Sequence, residues 1–342
     1  MPTLLRRIPY LVPGALLCLL IAAGANLLVH IPAIQHLGLG GLTLAILLGL
    51  LLGNLGAARF GGLRPGVELS RQQLLRLGVV LYGLRLTFQD IAALGPAALV
   101  IDVLMVASTL LMAAWIGVRW LKLPRESALL IGAGSAICGA AAVMASSPVL
   151  RARAEHTAVA VATVVLFGTL GMLLQPLLFA HLPNLFGSPK AFGIFTGSTI
   201  HEVAQVVAAG RAMDPAAADA ALISKMLRVL LLAPALLCLG RFGSAEGASE
   251  GKRRVQVPGF AVAFLLVTGL RSLGLIPESW LAPLQQLDDV LLGMAMAALG
   301  LATRLGDLRK EGPKPLLLGA GLFIFLLVGG ALINGGVQHL LG

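Results

Sequence analysis

Residues 127–149, SALLIGAGSAICGAAAVMASSPV, and residues 191–209, AFGIFTGSTIHEVAQVVAA, decide how this chain is built. Each is apolar and near the ~20 residues a helix needs to cross ~30 Å of hydrocarbon, yet each carries glycines and small polar side chains at its centre. Slid along the chain by 63 positions, Gly134-Ser135-Ala136-Ile137-Cys138 falls on Gly197-Ser198-Thr199-Ile200-His201, and Ala141 and Val143 fall on Ala204 and Val206. The match points to two copies of one interrupted motif; close helix packing by small residues in a Leu- and Ala-rich chain is the plainer alternative.

The rest of the chain says which solvent the motif works in. Of 342 residues 58% are apolar and 12% charged, and mean hydropathy is +0.94. A water-soluble surface cannot be covered at that composition. Apolar stretches recur at 8–29, 37–56, 72–88, 97–118, 127–149, 157–180, 191–209, 217–239, 258–275, 286–302 and 315–333. The expected fold is an all-α polytopic membrane protein, one transmembrane domain over 1–342, with interrupted or re-entrant helices and inverted repeats. Arg6-Arg7 ahead of an apolar run and Ala23-Gly24-Ala25 resemble a signal peptide, but the run is longer than a usual h-region, which predicts a retained first span.

Net charge is +10, but Lys and Arg lie in short loops between apolar stretches rather than in a patch, so nucleic acid is not an expected partner. The basic loops are Arg6-Arg7, Arg59 to Arg76, Arg119 to Arg125, Arg241 to Arg254 and Arg304 to Lys314. The positive-inside rule makes them cytoplasmic and the 271–289 loop external, with the N-terminus cytoplasmic and the C-terminus external. A complete span at 127–149 would strand Arg151 and Arg153 outside, whereas a re-entrant one keeps them inside. Residues 241–257 read as a flexible cytoplasmic loop. Cys18, Cys138 and Cys238 lie in apolar segments, as free thiols rather than a disulfide framework.

A second self-similarity, at offset 217, places Leu74, Leu75, Gly83, Leu84, Asp90, Gly95 and Pro96 on Leu291, Leu292, Gly300, Leu301, Asp307, Gly312 and Pro313. Within the offset-63 motif, Gly132, Gly134 and Gly139, and Gly193 and Gly197, are expected to permit a break at mid-membrane depth. A break exposes a helix N-terminus, whose amides attract an anion, with Ser135, Ser198 and Thr199 adding hydroxyls. His201 and Glu202 are ionisable groups inside an apolar stretch and so are expected to serve substrate binding or proton coupling. Gln205 shares their helical face, and Lys225 and Arg228, three apart, pair with Glu202 or draw an anion inward. Asp102 and Arg85 lie near segment ends and rank below these. His201-Glu202-Val203-Ala204-Gln205 lacks the second histidine of a zinc-protease H-E-x-x-H, and no histidine is spaced to activate Cys138, so neither metal, cofactor nor enzyme activity is expected.

Gly134-Ser135-Ala136-Ile137-Cys138-Gly139, Ile200 to Gly210 and Lys225 to Pro234 together resemble the YeiH-like family of inner-membrane transporters, over nearly the whole chain. The resemblance implies sulfate or a related sulfur oxyanion as cargo. It also implies kinship with the bile-acid symporter and cation-proton antiporter group, whose interrupted helices cross at a central site. The family pattern has two successive hydroxyl residues where this chain has Ser135 followed by Ala136. The expected function is secondary transport, in the export direction, of a small anion by alternating access, with a proton or sodium as coupling ion and a homodimer as the assembly. Its expected site gathers Gly134, Ser135, Cys138, Gly139, Gly197, Ser198, Thr199, His201 and Gln205 around the substrate, with Glu202, Lys225 and Arg228 setting charge. A channel-like anion pathway is the alternative, and a membrane enzyme the third reading.

Overall fold

The computed structural model describes residues 8–31, 40–55, 61–242, 259–303 and 313–341. In lipid a backbone must satisfy its own hydrogen bonds, and the described residues do so as helices, without strands. In chain order these are α1 (Ile8–Leu28), α2 (Gly41–Leu55), α3 (64–82), α4 (Gly95–Trp120), α5 (Arg125–Ala136), α6 (Ala140–Leu150) and α7 (Ala154–His181). They continue with α8 (Pro189–Thr199), α9 (Val203–Arg211), α10 (Pro215–Gly240), α11 (Gly259–Ser272), α12 (Glu278–Ala302) and α13 (Pro313–Leu341). Each apolar stretch is largely helix where it is described, with breaks at 86–87, 137–139 and 200–202. Helices α1, α4, α7, α10 and α13 are each long and apolar enough to cross a membrane. The expected loop at 241–257 lies almost wholly outside the described residues, as do Arg6, Arg7, Arg59, Asp307 and Gly312.

The helices fall into two compact units. The first comprises residues 1–92 and 260–305. Glycines bring its backbones together: Gly49 and Gly53 of α2 face Ala297 and Leu301 of α12, and a Cβ at Gly53 would stand 2.6 Å from the Leu301 carbonyl oxygen. Bringing backbones this close replaces a hydrophobic drive that lipid does not provide. Gly53→Leu is expected to cost about 1–3 kcal/mol by overpacking, read as a lower melting temperature of the detergent-purified chain. Gly83, at the end of α3, meets the Phe264 carbonyl of α11, while Gly300 of α12 meets the Ile46 carbonyl of α2. Shifted by 217, Phe264 falls on Leu47, next to Ile46, so the sequence match and the contact pattern agree. The charge-poor external loop expected at 271–289 is shorter than its sequence reading, because α12 already starts at Glu278. Asp288 is fully buried in that helix because Arg85 Nε reaches its carboxylate at 3.2 Å, while the same guanidinium holds Asp289 at 2.9 Å.

The second unit comprises residues 93–259 and 306–342. Both motif copies fold back within it as hairpins, and side-chain register shows the directions. Glu126 of α5 lies beside His156 of α7, and Gly134 of α5 faces Val164 of α7, so α5 runs parallel to α7. Ser147 of α6 bonds Thr157 of α7 at 2.8 Å, so α6 returns to the end of α7 where α5 began. In the other copy, Gly193 and Gly197 of α8 face Ala217 and Ala221 of α10, so these two helices run parallel. Gly210 of α9 packs on Ala218, which brings α9 back to the level where α8 started. The α5–α6 hairpin therefore opens at the N-terminal end of α7. Phe179 of α7 lies 5.2 Å from Phe192 of α8, placing the open end of α8–α9 at the other end of α7. The 127–149 and 191–209 stretches thus fold back on themselves instead of forming single continuous helices. The fold-back puts Arg151 and Arg153 at the end of the unit that carries Arg125, which removes the conflict with the charge rule.

Candidate functional site

A hairpin in an apolar setting leaves unpaired backbone groups at its turn, and both turns lie beside the middle of α7. Gly134 faces Val164, Ile200 faces Gly171, and Gln205 Nε2 donates to the Val165 carbonyl and Thr169 Oγ1, each at 3.3 Å. The 28 residues of α7 extend over about 42 Å, so each hairpin reaches roughly half way along it. The first break spans Ile137 to Gly139, where Gly139 takes φ +69°, and the second spans Ile200 to Glu202. Gly132, Gly134, Gly193 and Gly197 do not form the breaks expected of them. They lie inside α5 and α8, where the absence of a side chain admits Ala113, Val143, Ala217 and Ala221.

The polar ends of the half-helices are bonded by side chains. Glu202 closes the N-terminus of α9 through a capping box, its own amide donating to Gln205 Oε1 at 3.2 Å. Glu202 Oε1 also accepts from the amide of Ala140, the first residue of α6, at 3.1 Å. One carboxylate therefore serves the N-termini of both hairpins, where the helix dipoles favour negative charge. The opposite ends receive cations. Arg228 Nε donates to the Ala136 carbonyl at 2.8 Å, Nη2 to Ser135 at 3.0 Å and Nη1 to Gly197 at 3.3 Å, while Lys225 Nζ donates to Ile200 at 2.6 Å. One turn of α10 thus holds the C-terminal carbonyls of α5 and α8 together.

Ser135, Ser198 and Thr199 stand at these C-terminal ends, not at the anion-attracting N-termini expected for them. Thr199 Oγ1 donates to the Phe195 carbonyl and accepts from Gln175 Nε2 at 2.9 Å, and Ser198 Oγ accepts from Asn334 Nδ2 at 3.0 Å. Ser135 Oγ and both ring nitrogens of His201 are buried without a hydrogen-bond partner among the described residues. Buried polar atoms are ordinarily paired, which makes these atoms candidates for contact with a bound group or water. Cys138 is buried in the first turn, and all three cysteines are free.

Asp102 of α4 is fully buried, accepts from Ser224 Oγ through both oxygens at 3.2 and 3.1 Å, and interacts electrostatically with Arg228 and Lys225. Sequence reasoning ranked it as structural and passed over Gln175 and Asn334 entirely. An aspartate eight positions into a 26-residue apolar helix is a signal that could have placed it higher. Arg85, ranked with it, belongs instead to the Asp288–Asp289 cluster of the first unit.

Comparison with known proteins bears on this arrangement. Residues 13–319 match the family described as conserved hypothetical protein 698. A UPF0324 membrane protein of Yersinia pestis is 50% identical over 96% of this chain and 93% of its own length. A second, from Pseudomonas aeruginosa, is 49% identical over 96% and 95%. The UPF0324 inner membrane protein YeiH of Escherichia coli K12 is 47% identical over 98% and 97%. No solved structure gives a significant match. With nearly its whole length aligned to these relatives at about half identity, the chain belongs to the YeiH-like UPF0324 family of membrane proteins.

Proposed function

We propose that the chain is a secondary transporter that moves a small oxyanion across the inner membrane by alternating access, with its binding site at the two hairpin turns. The observation that carries this reading is a buried centre of Asp102, Glu202, Lys225 and Arg228, beside the unpaired His201 and Ser135, built where two half-length hairpins from opposite ends of α7 meet. Interrupted elements with helix ends at mid-depth are how transporters hold an ion without spending a continuous span. The opposed hairpins, each followed by a long helix, and the α2–α3 and α11–α12 exchange are taken as inverted repeats, the symmetry that lets one site face either side. The basic ends of α4, α5 and α6 belong in the cytoplasm, which puts the N-terminus inside and the C-terminus outside. His201 and Ser135 supply donors to the oxyanion, and Lys225 and Arg228 the field that draws it in.

Counterflow tests this. Proteoliposomes preloaded with one anion of a panel that includes sulfate and methanesulfonate are expected to accumulate the labelled anion faster than empty ones. A current that shows no such acceleration points to a pore and defeats alternating access.

A further inference from the structure

We infer that the cargo is a singly charged oxyanion that binds together with one proton, the proton going to the Glu202 carboxylate that the anion displaces from the helix N-termini of α6 and α9. The inference deepens the transporter reading and rests on it. Helix N-termini are the anion-attracting ends of the hairpins, and both are already served by Glu202. A second anion at the same amides must remove the first.

The charges around Glu202 fix what must accompany that exchange. Cys138 faces it from the α5–α6 turn and Lys225 from α10, with Arg228 one turn beyond, Asp102 on α4 and His201 in its own turn. The groups that α7 and α13 bond into the hairpins here are uncharged: Thr169 to Gln205, Gln175 to Thr199 and Asn334 to Ser198. Formal charges balance: Lys225 and Arg228 are positive, Asp102 and Glu202 negative. An incoming anion breaks that balance in a buried centre, where an uncompensated charge is costly. The remedy is proton uptake, carboxylate plus H⁺ giving the neutral acid, with the proton drawn from the same side as the anion. Protonated Glu202 is a poorer acceptor for the Ala140 amide, which is released to the cargo, and the single ring N–H of neutral His201 and the Ser135 hydroxyl complete its donor set. A monoanion then restores neutrality. A dianion such as sulfate leaves one negative charge over, so discrimination falls on charge rather than shape. Proton and anion move in the same direction, and that direction follows the sum of their gradients.

The test uses the full chain in liposomes containing a trapped pH dye, with methanesulfonate and sulfate as probes, since both present a sulfur oxyanion head and differ in charge. Methanesulfonate entry is expected to acidify the lumen by about one proton per anion, because binding of the two is reciprocally linked. Its rate is expected to ignore an imposed potassium diffusion potential and to exceed that of sulfate roughly tenfold. In Glu202→Gln the ratio of protons to anions moved is expected to fall to about zero, at whatever rate the anion still moves. Wild-type anion entry without acidification, preference for sulfate, or retained acidification in Glu202→Gln each overturns the coupling. Absence of counterflow for every anion in the panel overturns the transporter reading and the coupling with it.

Discussion

Arg228→Met is expected to abolish anion counterflow and to lower the melting temperature more than any other single change at the hairpin turns. The guanidinium is fully buried and donates to the carbonyls of Ser135, Ala136 and Gly197, which belong to two different hairpins. Methionine fills much of the volume but offers no donor, so buried acceptors at two helix C-termini lose their partner. The acidic charges of Asp102 and Glu202 also lose half of their compensation. Breaking one side of a buried charged network costs about 3–5 kcal/mol. Arg228→Lys keeps the charge but not the planar fork, since an ammonium cannot span three carbonyls in fixed directions, and is expected to recover only part of the stability. Thermal unfolding in detergent and counterflow in liposomes read the two effects; a methionine variant that melts and exchanges like the wild type disproves the brace.

Gly139→Ala comes second in expected effect and separates function from stability. At φ +69° and ψ −133° the residue occupies backbone space that side chains avoid, at a cost of about 1–3 kcal/mol. The added methyl would also overlap Glu202 Cγ and stand 2.8 Å from its Oε1, so the side chain must shift and its carboxylate leave the α6 N-terminus. Because the obstructed atoms belong to a side chain and not to backbone, the hairpin is expected to fold while counterflow falls by about tenfold or more, a loss of at least ~1.4 kcal/mol at the site. Gly187→Ala gives the comparison: its φ is +81°, and nothing lies within 4 Å of the new Cβ. Equal losses of counterflow in the two variants would trace the effect to backbone strain and not to Glu202.

The membrane fold was legible because hydrophobicity accumulates along a span and needs no knowledge of partners. The paired hairpins were legible as a repeat of 134–138 on 197–201, and Arg151 with Arg153 raised re-entry as one of two readings without deciding between them. Direction depends on which residues face one another, and Glu126 with His156, or Gly210 with Ala218, carries no local signature. Glu202, Lys225 and Arg228 stood out because ionised groups are rare in apolar stretches. Their partners did not, because the carbonyls they serve are backbone and have no letter in the sequence. Gly193 and Gly197 misled for a related reason. A glycine that weakens a helix and one that admits a neighbouring backbone look identical until the neighbour, here α10, is placed.

Lys225 and Arg228 lie about one turn apart on one rigid rod, and between them their bonds reach both hairpins. Neither loop tip can be drawn aside while the other stays put, unless the rod first lets go of one of them. Whatever pulls on α10, from either surface, is therefore felt at both tips at once, and the paired elements answer as a single lever rather than as two independent doors.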